Sequence, residues 1–147
     1  MTNKLCEIRA FVYDYFKETT QPPSVEDTAA RFNLTTDEAA LVYEELNQRH
    51  AFFLNPGTHN ILMANPFSGV ETPFKVHASG KTYSANCAWD SLGIPAALHA
   101  DAEIKAICSQ SGASIQLNIK DGKISSSDAL VHFLVPFQDW YNDLVYT

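Results

Sequence analysis

Apolar residues recur at helical spacing along the first third of the chain. Leu5, Ile8, Val12, Tyr15 and Phe16 fall on one face of a helix, and the pattern ends ahead of Pro22-Pro23. Ser24 with Asp27 three residues on has the form of a capping arrangement and predicts a short second helix bearing Val25, Ala29 and Phe32. Asn33-Leu34 marks a turn. Thr35 with Glu38 repeats the capping pattern, and Ala39, Val42, Tyr43 and Leu46 supply the i, i+3, i+4, i+7 face of a third helix. Ala51–Leu54 and Asn60–Met63 read as strands on either side of an Asn55-Pro-Gly57 turn. Three helices followed by a hairpin give a winged-helix-like lobe. Phe11, Tyr13, Tyr15 and Phe16 have core spacing, which suits packing better than a binding cage.

The pattern changes after Asn65-Pro-Phe-Ser-Gly69, whose turn residues suggest a linker between a helical lobe at 1–65 and an α+β domain at 66–147. Phe74 to Tyr83 reads as two short strands turning at Ser79-Gly80. Asn86 to about Leu98 reads as a helix interrupted near Gly93 and Pro95. Glu103–Cys108 and Ser114–Ile119 alternate like sheet strands joined through Ser111-Gly112, and Asp121-Gly122 is a turn signal. Ala129–Val135 reads as a buried strand, and Pro136 as the start of a final amphipathic helix carrying Trp140. The fold class expected is α+β with mostly antiparallel sheet.

Composition narrows the function classes. A chain of 147 residues, 46% hydrophobic, buries enough surface to fold without disulfides or a metal. Ten basic against seventeen acidic side chains leave a net charge of −7, which opposes a nucleic-acid partner, because phosphate binding needs a Lys/Arg surface. The third helix, the reading helix of a DNA-binding winged helix, carries Asp37, Glu38, Glu44 and Glu45 against Arg49. No stretch approaches the roughly 20 apolar residues that span a bilayer, so no membrane partner is expected. Glu7 and Arg9 lie where a signal peptide is apolar, and the expected location is the cytoplasm. The three cysteines, Cys6, Cys87 and Cys108, have no metal-ligand spacing and are expected as free thiols.

Candidate chemistry centres on Ser84-Ala-Asn-Cys-Ala-Trp-Asp90. Asn86 as N-cap puts Cys87 at the first helical position, where the helix dipole lowers a thiol pKa. Asp90 lies one turn on. A thiolate beside a carboxylate is a like-charge pair, so one of the two holds a proton. Cys87 is therefore a candidate soft nucleophile and Asp90 a candidate proton donor; a buried cysteine beside a helix-capping aspartate gives the same pattern. Trp89 either walls an apolar pocket or anchors the helix. His132 is expected as a core imidazole, His50, His59 and His99 at the surface, and Cys6 as apolar filler.

The run Tyr83-Ser-Ala-Asn-Cys-Ala-Trp-Asp-Ser-Leu-Gly-Ile-Pro-Ala-Ala-Leu98 resembles the signature segment of alkylmercury (organomercurial) lyases. Cys108 with Ser111–Leu117, Val131-His-Phe133 and Val135-Pro-Phe-Gln-Asp-Trp140 are also similar, so that the resemblance covers about Phe74 to Trp140. The winged-helix-like first half agrees with that family's amino-terminal lobe. The resemblance implies protonolysis of a carbon–mercury bond by two cysteines and an aspartate. Cys87 matches the first cysteine and Asp90 the aspartate, while Cys108 matches a further, structural cysteine. No resident cofactor is expected: mercury enters as substrate and leaves as product ion, and a small thiol is a candidate co-substrate.

One position departs from the family pattern. The second catalytic cysteine precedes the Val-His-Phe strand, and Asp128 stands there in this chain. A carboxylate is a hard ligand and a poor match for mercury. Three outcomes follow: a free thiol supplies the second sulfur; Cys108 reaches the site; or the pocket has lost the lyase reaction and binds another ligand. In the last case Cys87 and Asp128, with His132 or His77, would hold a borderline divalent ion. A non-catalytic protein binding a metal ion or thiol-reactive ligand is thus the alternative, and a winged-helix metal-responsive regulator the third reading.

Overall fold

The helical spacing of the first third becomes α1 (Asn3–Thr19), whose buried residues are Leu5, Ile8, Val12 and Phe16. The computed structural model describes residues 3–125 and 127–142. Both expected capping boxes are present. Ahead of α2 (Val25–Phe32), the Ser24 hydroxyl accepts from Asp27 N at 3.0 Å and the Asp27 carboxylate accepts from Ser24 N at 2.9 Å. Thr35 and Glu38 repeat this at α3 (Thr36–Gln48), with distances of 3.2 and 2.8 Å. Asn33 closes α2 in the left-handed conformation, φ 51°. Tyr43 of α3 is fully buried, and its hydroxyl meets that of Thr28 at 2.7 Å. Burial pushes its phenol pKa up to about 12.

β1 (Phe53–Leu54), β2 (Ile61–Ala64) and β3 (Phe67–Ser68) form a three-stranded antiparallel sheet in that order. β3 corrects the expected linker. Asn65-Pro66 does make a turn and the chain bends at Gly69-Val70, but the Phe67 between them has a core to fill. It is buried, stacks on Phe16 with centroids 5.4 Å apart, and lies 5.6 Å from the Tyr83 ring.

The second sheet has the order β5-β4-β6-β7-β8, antiparallel throughout. Its strands are β4 (Lys75–Ala78), β5 (Lys81–Ser84), β6 (Ala102–Ile107), β7 (Ser114–Lys120) and β8 (Lys123–Ile124). Ser79-Gly80 and Asp121-Gly122 turn the hairpins with positive φ at both residues, the geometry that suits strand twist. Between β5 and β6 runs α4 (Ala88–Leu98), which packs on β4 and β6. A bridge between Phe67 and Ala85 ties the two sheets together, and one hydrophobic core extends from Leu5 to Ile104. The chain is α+β, a three-helix lobe with a mostly antiparallel sheet lobe. No helix of the described residues is long and apolar enough to cross a membrane.

Other expectations need correction. α4 continues through Gly93 and Pro95 rather than breaking there. Ala129–Val135 is not a strand: Leu130 is 92% exposed and His132 is exposed rather than a core imidazole. A continuous apolar run lacks the alternation that pins a strand register. The helix expected after Pro136 is a 3-10 turn, Phe137–Asn142. Cys6 lies on the exposed side of α1, one position from the buried Leu5, so it is not core filler.

Candidate active site at the amino end of helix α4

The chain connection from β5 into α4 places Cys87 at the edge of a cavity of about 200 Å³. The cavity wall is largely apolar. Leu62, Met63 and Val70 contribute from the three-stranded sheet and its exit, Trp89 from α4, and Phe133 and Trp140 from the carboxy-terminal segment. Its polar groups are Asn65, Ser68, Thr72, Asn86, Cys87 and Asp90. Gly69, between the two sets of lining residues, has no room for a side chain: a Cβ there would overlap the Ile61 carbonyl oxygen.

Cys87 is itself the N-cap of α4, with extended backbone (φ −150°, ψ −179°), and its sulfur accepts from Asp90 N at 3.4 Å. The expected register was one residue earlier, with Asn86 as cap. Asn86 is a better cap by intrinsic preference, but its side chain is engaged elsewhere. Its amide nitrogen lies 3.0 Å from Asn65 Oδ1, 3.3 Å from the Phe67 carbonyl and 3.1 Å from Asp90 Oδ2. The Cys87 thiol in turn points at Asp90 Oδ2, 3.6 Å away.

The electrostatics also differ from expectation. Burial raises the Cys87 thiol pKa, and the Asp90 charge adds to this; the backbone N–H of Asp90 opposes it without prevailing. Loss of water therefore outweighs the backbone N–H donors at the start of the helix. Burial likewise raises the Asp90 carboxyl pKa, against the hydrogen bonds from Asn86 and Cys87. Of the like-charge pair, the thiol holds the proton, and the carboxyl beside it is tuned toward accepting one.

Trp89 forms a wall of the cavity while remaining 56% exposed, and it meets Phe133 edge-on at 6.1 Å. Phe133 packs on Trp140 at 5.1 Å, and the Trp140 indole donates to the Val135 carbonyl at 3.1 Å. The segment read as a buried strand, with the 3-10 turn after it, is thus a strap that brings Phe133 and Trp140 to the Cys87 cavity. Asp128, exposed on the same strap, is not among the cavity-lining residues. Cys108 sits at the β6–β7 turn rather than facing the core; hydrogen bonds from Ser111 lower its thiol pKa, and it does not line the cavity. His77 is on the β4–β5 hairpin, with Nδ1 3.2 Å from Thr82 Oγ1. Among the described residues, no three His, Cys, Asp or Glu side chains gather as a metal site. The second sulfur at the cavity is the Met63 thioether. Met63 and Asn65 carry no mark in the sequence as site residues, and Asn86, Phe133 and Trp140 stand in the segments that resemble the family without any sign that they meet at one cavity, since neither spacing nor periodicity marks which loops converge.

The model of the MerB alkylmercury lyase family matches residues 67–147, more than half of the chain. None of the curated proteins matches. A solved structure, described as the mercury-bound form of MerB2, superposes with a TM-score of 0.69 at 22% identity over 87% of this chain. That likeness is one of fold, and the chain spans 61% of the length of that protein. The matched residues include β3, Cys87, Asp90 and the aromatic strap, and on this ground the chain belongs to the alkylmercury lyase family.

Proposed function

We propose that the chain is an alkylmercury lyase-like protein in which Cys87 captures an organomercurial and Asp90 delivers a proton to the departing carbon. The observation that carries this reading is the 3.6 Å approach of the Cys87 thiol to Asp90 Oδ2 at an apolar cavity. In the first step the sulfur bonds to mercury, the mercurial's anionic ligand leaves, and the thiol proton passes to the Asp90 carboxylate. This gives a soft sulfur–mercury bond and a neutral carboxylic acid. In the second step that proton goes to carbon, and the carbon–mercury electron pair becomes the new C–H bond. A thiolate from a small thiol joins mercury as the carbon leaves, and Asp90 returns to carboxylate. Burial serves this sequence, because a raised carboxyl pKa lets Asp90 hold the proton between the steps. Trp89, Phe133 and Trp140 provide a dry surface for the organic group.

A second reading has an observation of its own. Cys87 is the one thiol among the cavity-lining residues, so capture of a thiol-reactive ligand without cleavage is the alternative. The two separate in one experiment, in which the protein is loaded with one equivalent of phenylmercury acetate, given excess small thiol, and assayed for benzene. With Cys6 and Cys108 replaced by serine so that no other thiol takes up the mercurial, binding with release, both lost on adding Cys87→Ser, supports the lyase. Binding without release supports the binding protein.

A further inference from the structure

Asn86 occupies a position that the capture and protonation steps do not by themselves require. It is not the cap of α4, and its side chain is turned back across the boundary between the two sheets. Its amide nitrogen has two hydrogens and three acceptors in reach: Asn65 Oδ1 at 3.0 Å, Asp90 Oδ2 at 3.1 Å and the Phe67 carbonyl at 3.3 Å. Two of these acceptors are anchored in the three-helix lobe. The Asn65 backbone carbonyl accepts from the Tyr13 hydroxyl at 3.3 Å, and Phe67 is a core residue stacked on Phe16. The third is the same carboxyl oxygen that faces the Cys87 sulfur.

We propose that Asn86 is a positioning residue whose amide, held by Asn65 and the Phe67 carbonyl, fixes the Asp90 carboxyl against the Cys87 sulfur. This inference rests on the lyase reading of the same site. Two features suit it to the task. The clamp grips the oxygen that exchanges the proton, so it controls the distance over which the proton moves. Asn86 itself stays in place through the exchange: when Oδ2 carries a proton, the amide hydrogens still have Asn65 Oδ1 and the Phe67 carbonyl as acceptors, so the amide is ready to take up the carboxylate again. Release of the clamp leaves the carboxyl free to rotate about its side-chain bonds, and a displacement of about 1 Å at a reacting group can cost on the order of 100-fold in rate.

The test is a single-turnover assay in a Cys6→Ser/Cys108→Ser background, where Cys87 is the sole thiol. The protein is loaded with one equivalent of phenylmercury acetate, excess small thiol is added, and the rate of benzene release is measured apart from mercurial uptake. Asn86→Ala should keep full uptake while release slows by about 10- to 100-fold. Asn65→Ala should slow release in the same direction by less, and the double variant should be no slower than Asn86→Ala alone, because both act through one linkage. Release from Asn86→Ala within about twofold of the parent overturns the proposal, as does a parallel loss of uptake and release in a variant with native circular dichroism. If Asn86→Ala does not fold, parent-like release from Asn65→Ala overturns it. A parent protein that releases no benzene above the thiol-only control overturns the lyase reading and this proposal with it.

Discussion

At the scale of single residues, Cys87 and Asp90 divide the work. Asp90→Asn should retain mercurial uptake by Cys87 and lose hydrocarbon release by about 100-fold or more, the usual scale for a removed general acid; uptake titration and gas-phase product analysis check both halves. The same aspartate leaves a signature in stability. Its folded pKa lies above the ordinary value of 3.8, so the native state holds the proton more firmly than the unfolded chain. Its stabilising contribution is complete below that value and is lost as pH rises through the raised pKa. The melting temperature of Asp90→Asn relative to wild type should therefore climb from acid toward neutral pH. A pH-independent difference would mean that the carboxyl is not strained by burial. The pairing of a soft nucleophile with an acid one turn along was legible in the sequence, because helical spacing fixes which residues share a turn. The direction of the thiol shift was not, because burial is set by tertiary packing, which helical spacing does not reveal.

Elements follow the local code where the code is short-range. The Ser24/Asp27 and Thr35/Glu38 boxes and the Ser79-Gly80 and Asp121-Gly122 turns all stand where sequence placed them, since each is decided within about four residues. Ser24→Ala should cost about 1 kcal/mol in denaturant unfolding. Backbone and side-chain hydrogen bonds in these boxes lower the pKa of Asp27 and of Glu38. Their contribution is present above the ordinary values of 3.8 and 4.5 and is lost as pH falls through the lowered ones, opposite in sign to that of Asp90. Two elements escaped the local code. β3 was hidden by flanking turn residues, and the 129–135 segment reads as a strand although Phe133 serves an aromatic contact with Trp89 and Leu130 and Leu134 are exposed. Gly69, at the exit of β3, tests that packing: with its Cβ position filled by the Ile61 carbonyl, Gly69→Ala should cost about 1–3 kcal/mol and disturb the Leu62–Val70 side of the cavity.

Across the whole molecule, the division expected at residue 65 meets a core that does not divide there. Phe67 touches Tyr13, Phe16 and Tyr83, which come from α1 and β5. Both tryptophans, Trp89 and Trp140, lie in the second half, whereas α1, α2 and α3 dominate the helical signal. Unfolding followed by tryptophan fluorescence and by far-ultraviolet circular dichroism should therefore give coincident transitions, and Phe67→Ala should weaken both together by about 3–5 kcal/mol. Separate transitions would mean two independent units. This continuity matters for function, because the cavity takes walls from both halves and its chemistry from the start of α4. Benzene release from phenylmercury acetate under excess small thiol, compared among wild type, Cys87→Ser, Asp90→Asn and a protein-free thiol control, tests the account most directly. Release by wild type alone is the result it requires; equal benzene from all four would contradict it.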